Sequence, residues 1–113
     1  YLSRPEDCRG GTEFYRHKRT GTDRMPMDPE GLKELGYESY AELERDILKE
    51  GGWDRSQWEQ TMMIPMRFNR LVMFQPQYWH TAGPGFGDTV ENGRLVYLIF
   101  FQRASAQAPG VQA

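Results

Sequence analysis

Two segments near the carboxyl end constrain this chain most. Phe68 to Phe74 and Leu95 to Phe101 are short, rich in β-branched and aromatic residues, and apolar at both odd and even positions. A strand of that kind has no face to offer water, so it belongs between other layers rather than at a surface. The spacing therefore predicts two central strands. The pair Asn92-Gly93 marks a tight turn just before the second. Earlier, Thr12 to His17 follows Gly10-Gly11 and alternates like a half-buried strand, and Tyr1-Leu2-Ser3 has strand character too. Met62 to Met66 form an apolar run broken by Pro65, which places an edge or a bulge there.

Helical signals fill the space between. Asp28 followed by Pro29 is a helix start, with Leu32 and Leu35 facing inward and Gly36 as the stop. Ser39 and Glu42 have the spacing of a capping box, ahead of Tyr40, Leu43 and Ile47 at helical intervals and the stop Gly51-Gly52. The fold class is mainly β, with a two-helix insertion at about residues 28–50. Residues 1–103 read as part of one domain, and the polar stretch 104–113 as a disordered tail.

Composition narrows the function. The 113 residues carry a formal charge of −2, and the densest basic group, Arg16 to Arg19, is too short for a nucleic-acid or membrane-surface patch. No apolar run reaches the roughly 20 residues of a transmembrane helix. Cys8 is the single cysteine, so neither an internal disulfide nor a thiolate metal cluster can form, and a reducing, cytoplasmic location is expected. Cys8 has no base beside it in sequence and no Gly-x-Ser-x-Gly is present, which leaves nucleophilic hydrolysis without support.

Two polar residues stand out against the apolar strands. His80 ends Gln77-Tyr78-Trp79-His80 ahead of the glycine-rich run Gly83 to Gly87, and a neutral imidazole there is either a metal ligand or a hydrogen-bonded structural group. The glycine-rich run lacks the ending of a phosphate loop. Arg94 alternates with Val96, Leu98 and Phe100, so it needs an anion: a carboxylate-bearing cosubstrate, or an Asp or Glu of the protein. Tyr15, Phe74 and Trp79 are either pocket lining or packing. His17 lies about 13 Å along its strand from Glu13, too far to share a metal. No His-x-Asp or His-x-Glu pair occurs in the sequence.

The strings themselves resemble a known superfamily. Tyr1-Leu2-Ser3 with Gly10-Gly11-Thr12-Glu13-Phe14 is similar to core strands of the iron(II)- and 2-oxoglutarate-dependent dioxygenases, the prolyl-hydroxylase-like jelly rolls. Asn69-Arg70-Leu71-Val72-Met73-Phe74, Trp79-His80 and Gly93-Arg94-Leu95 resemble the later strands, and the closest likeness is to the bacterial DUF6445 group. The likeness covers most of residues 1–102. It implies a double-stranded β-helix (jelly roll), with His80 as the distal ligand of Fe(II) and Arg94 as the anchor for 2-oxoglutarate. The substrate would be a small molecule or peptide, without nucleic acid or membrane as partner. The superfamily's proximal His-x-Asp/Glu pair would fall before Tyr1. The expectation is thus the carboxyl-terminal part of a dioxygenase, inactive by itself. The alternative is a non-catalytic jelly-roll module for a small anion or a protein partner.

Overall fold

The structure, a computed structural model, describes residues 1–104; the tail expected from 104 onward lies outside them except for Ala104. Its centre is a three-stranded antiparallel sheet. Strand β1 (Gly11–His17) lies between β2 (Trp58–Pro65) and the two-residue β3 (His80–Thr81). Gly11 stands opposite Pro65 and His17 opposite Trp58, and the register shifts between Phe14 and Tyr15, where Thr61 of β2 has no partner. Such a bulge turns side chains to the other face of the strand. It also locates the irregularity expected at Pro65: Pro65 closes β2, an edge strand, and the extra residue lies four positions earlier. A Cβ on Gly11 would sit 2.0 Å from the carbonyl oxygen of Ile64, so only glycine lets the strands approach there.

The helices lie where the cap signals put them. Helix α1 (Pro29–Glu34) begins at Asp28, whose side chain accepts from the Gly31 N–H at 2.7 Å. Helix α2 (Tyr40–Leu43) begins at Ser39, whose Oγ accepts from Glu42 N, and it continues as a π-helical stretch over Glu44–Glu50. The capping box is displaced by one residue: the Glu42 carboxylate accepts from the N–H of Glu38 rather than Ser39. A short 3-10 turn, Arg55–Gln57, leads into β2.

One face of β1 meets these helices. Leu43 and Ile47, four apart, are fully buried and form the core with Leu32, Tyr37 and Trp79, flanked by Tyr15, Met25, Leu35 and Trp58. His17 belongs to this face as well, only 1 % exposed, with Nδ1 bonded to Thr20 Oγ1 at 2.9 Å and its ring edge-on to Trp58. Its role is structural.

The expected central strands are the main departure. Neither 68–74 nor 95–101 is paired as a strand, and Leu71, Met73, Tyr97, Leu98 and Phe100 are exposed by 70–85 %. The physical reason is that no layer among the described residues covers them. The radius of gyration, 17.7 Å in a plate 21 Å thick, says the same, since a compact chain of this length would have about 13 Å. Three antiparallel strands with helices on one face are what the described residues form. No described helix is long and apolar enough to cross a membrane.

Two outcomes are expected. Ile47→Ala should cost about 2–5 kcal/mol in denaturant unfolding, because it empties a filled site. Burial, and then the charge of Arg19, lower the pKa of His17 below its ordinary value of 6.5. The unfolded chain therefore takes up this proton first, and stability should hold above about pH 6.5 and fall as the pH drops below it. Urea titrations between pH 8 and 5 should show that slope, and His17→Gln should flatten it.

Candidate functional site

Alternation along β1 sorts the candidate residues onto two faces. Glu13, Tyr15 and His17 point to the helix side. Glu13 is buried, and its carboxylate accepts from the Tyr15 hydroxyl and, at 3.2 Å, from Thr81 Oγ1. Burial, then the hydrogen bond to Glu13, raise the Tyr15 pKa above 10.0. Tyr15 and Trp79 both pack on Trp58, with ring centroids 6.4 and 5.8 Å away. Together with Leu48, Trp53 and Pro84 they line a cleft of about 420 Å³. Its walls are mainly apolar, with Tyr15, Trp53, Trp58 and Trp79 among them, and the Trp79 Nε1 is buried without a hydrogen-bond partner.

His80 lies on the other face. It pairs with Phe14 across the β1–β3 ladder, and paired residues in a sheet project the same way. The ring contacts agree: Phe14 and Phe74 meet edge-on at 5.0 Å, and the His80 ring stands 4.7 Å from Phe74 and 6.2 Å from Phe14. His80 borders the aromatic cleft because β3 is at the sheet edge, but its ring belongs with Phe74. The four residues His80, Phe74, Tyr15 and Trp79 are thus near one another and divided two and two by the sheet.

The imidazole is set up in one particular way. Nδ1 lies 2.6 Å from the carbonyl oxygen of Tyr78, which can only accept, so Nδ1 carries the hydrogen. In the neutral ring Nε2 is then the bare nitrogen, and the ring is exposed. A ligand histidine is commonly oriented by this kind of carbonyl bond.

Arg94 is held by backbone contacts on both sides of it. Ser3, buried, donates its hydroxyl to Gly93 O at 2.9 Å and accepts from Leu95 N at 2.7 Å, and Leu2 N donates to Leu95 O at 2.9 Å. Asn92 fixes the preceding turn by accepting from Asp88 N and Thr89 N. The turn closes on Gly87, where a Cβ would meet Asn92 O at 2.5 Å. Among the described residues the guanidinium makes no hydrogen bond or ion pair, and its Nε is buried without a partner. No Asp or Glu pairs with it there, so of the two expected partners the protein carboxylate is not found. Among the described residues Arg94 and His80 share no hydrogen bond, and Arg94 does not line the cleft that His80 borders.

Sequence reading missed Ser3, Glu13 and Asn69. Ser3 was one letter of a strand, and nothing local distinguishes a serine that clamps another segment. Glu13 was weighed only as a metal partner for His17, and its bonds to Tyr15 and Thr81 depend on the strand pairing that brings Thr81 opposite it. Asn69 has φ 63°, a left-handed conformation that asparagine tolerates better than most residues, and its neighbours gave no turn signal.

Among the described residues no three His, Cys, Asp or Glu side chains come together as a metal site. Removing the clamp tests the local picture: Ser3→Ala should lower stability by about 1–3 kcal/mol, because Leu95 N loses its acceptor. Amide exchange at Leu95 should quicken while that of Leu43 barely moves.

The sequence model of a family of unknown function (DUF6445) matches residues 1–101. No curated protein and no solved structure matches the chain.

Proposed function

This chain belongs to the DUF6445 family, of unknown function, and from the chemistry at His80 and Arg94 we propose that it is part of an Fe(II)/2-oxoglutarate-dependent dioxygenase built on a jelly roll. The observation that carries the reading is the pair of unsatisfied groups at the two residues that resemble the superfamily's site. His80 leaves Nε2 as the bare nitrogen of an exposed residue, its tautomer fixed by Tyr78 O, and Arg94 carries a guanidinium with no anion beside it among the described residues. A charged group half-buried without a counter-ion is costly, and a dicarboxylate arriving on its outer nitrogens offsets that cost. Planar, forked guanidinium geometry suits that partner better than an ammonium does.

The residues described do not fit an iron centre by themselves. They bring no group of three ligating side chains together, and of the two imidazoles His17 is buried in the core and only His80 is exposed, whereas the facial triad takes two histidines and a carboxylate. What these residues do is narrower: Tyr78 orients His80, Phe14 and Phe74 give it an apolar seat, and Ser3 positions Arg94 for a carboxylate.

A second reading rests on Arg94 alone: a non-catalytic module that binds a small anion and needs no metal. The two separate in one experiment on the whole natural protein. The dioxygenase reading expects 2-oxoglutarate decarboxylation that depends on iron and is abolished by His80→Ala. It also expects Arg94→Lys to raise the KM for 2-oxoglutarate about ten- to a hundredfold, as loss of a charge-assisted fork would. Decarboxylation unchanged in both variants would overturn it. Metal-independent binding of 2-oxoglutarate, lost in Arg94→Gln and kept in His80→Ala, would establish the anion module instead.

A further inference from the structure

The chain has three tryptophans, Trp53, Trp58 and Trp79, and all of them line the one cleft beside Tyr15. Two are held in place. Trp58 donates its Nε1 to Gly51 O at 3.0 Å, and Trp79 belongs to the buried core with Leu43 and Ile47. Trp53 is the opposite case, 94 % exposed on the turn that follows Gly51-Gly52. An indole left in water at the lip of an apolar cleft keeps a π-face uncovered, and a second flat ring is the group that suits it. The volume of about 420 Å³ falls within the range of about 300–1,000 Å³ common to small-molecule sites.

The fixed charge on this lining has one sign. Arg55 lines the cleft, and no Asp or Glu of the described residues does. Arg55 opens the 3-10 turn that Asp54 caps, and the Asp54 carboxylate is engaged there by Ser56 N, Ser56 Oγ and Gln57 Nε2. The Arg55 guanidinium forms no ion pair among the described residues, and the residue is exposed. Aromatic walls alone would also suit an ammonium ion, but the guanidinium beside them repels one. A carboxylate is drawn to it and can take two parallel hydrogen bonds from its fork.

We propose that the cleft binds a small aromatic carboxylate, its ring against the tryptophans and its anionic group on Arg55. The ring supplies the affinity, by covering indole surface that water now covers. Arg55 supplies the selection, by favouring the anion over a neutral or cationic molecule of the same shape. The inference does not rest on the dioxygenase reading. That reading puts a ringless dicarboxylate on Arg94, which does not line this cleft, and binding here needs no metal. Absent decarboxylation would leave the cleft proposal standing, and an empty cleft would leave the dioxygenase reading standing.

The test is proton–nitrogen correlation spectroscopy of the 113-residue chain, in which each of the three indoles gives its own N–H signal, with 2-naphthoate as the probe. All three indole signals should shift and reach saturation within the millimolar range. The same ring without charge, 2-naphthylmethanol, should bind about tenfold more weakly. Charge without a ring, 2-oxoglutarate, should leave the indoles unmoved. Arg55→Gln should abolish the preference for the acid over the alcohol, and Trp53→Ala should weaken both by about two- to tenfold. Both side chains are exposed, so the two variants should keep the urea midpoint of the parent chain. No saturation by 2-naphthoate would overturn the proposal. So would 2-naphthylmethylammonium binding as tightly as the acid, 2-oxoglutarate moving the indoles as 2-naphthoate does, or the preference for the acid surviving in Arg55→Gln.

Discussion

Everything described hangs on β1 and its two distinct faces. It is hydrogen-bonded on one edge to β2 and on the other to β3, and its side chains alternate between the helical core and the open face. Gly11 allows the close approach to Ile64, Thr12 meets the Tyr1 hydroxyl, Phe14 seats Phe74 and His80, and Tyr15 and His17 hold Trp58. The run from Gly11 to His17 thus places nearly every candidate residue except Arg94.

The energetics are lopsided. The helices bury Leu43 and Ile47 completely against one face, while much of the remaining apolar surface is in the stretches 68–74 and 95–101, open to water. At about 25 cal/mol per Å² of apolar surface removed from water, those side chains contribute little in this arrangement. The five ion pairs among the described residues add little either: each has at least one well-exposed partner, and such pairs are worth about 0–1 kcal/mol. The core under β1 carries the stability.

What could be read in the sequence was local. Asp28-Pro29 and Ser39 announced their helices because a cap is satisfied within three or four residues. The strand around Phe14 announced itself by alternation after two glycines. The apolar character of 68–74 and 95–101 was also read correctly, but what a strand is sandwiched by is not written in the strand. At the candidate site, His80 and Arg94 could be singled out as polar residues in apolar company. The sheet between His80 and Tyr15 could not be foreseen, because it depends on which residue of β1 stands opposite His80. The clamp of Ser3 spans ninety residues to Gly93, beyond any local pattern.

The adjacency of Trp79 and His80 has its own consequence. They are consecutive on the short segment that pairs with β1, so their side chains leave it in opposite directions. Trp79 is a buried member of the helical core, and His80 stands exposed on the far side. The segment is bonded on both sides, Tyr15 N donating to Trp79 O and Trp79 N to Asp23 O, each at 2.9 Å. The indole packed against Trp58 adds an anchor on the core side to the contacts that Tyr78, Phe14 and Phe74 make with the imidazole. The two sides of the sheet are thereby geared together. A rotation of the backbone that carries His80 away from Phe14 turns Trp79 within its aromatic packing, and one that repacks Trp79 re-aims His80.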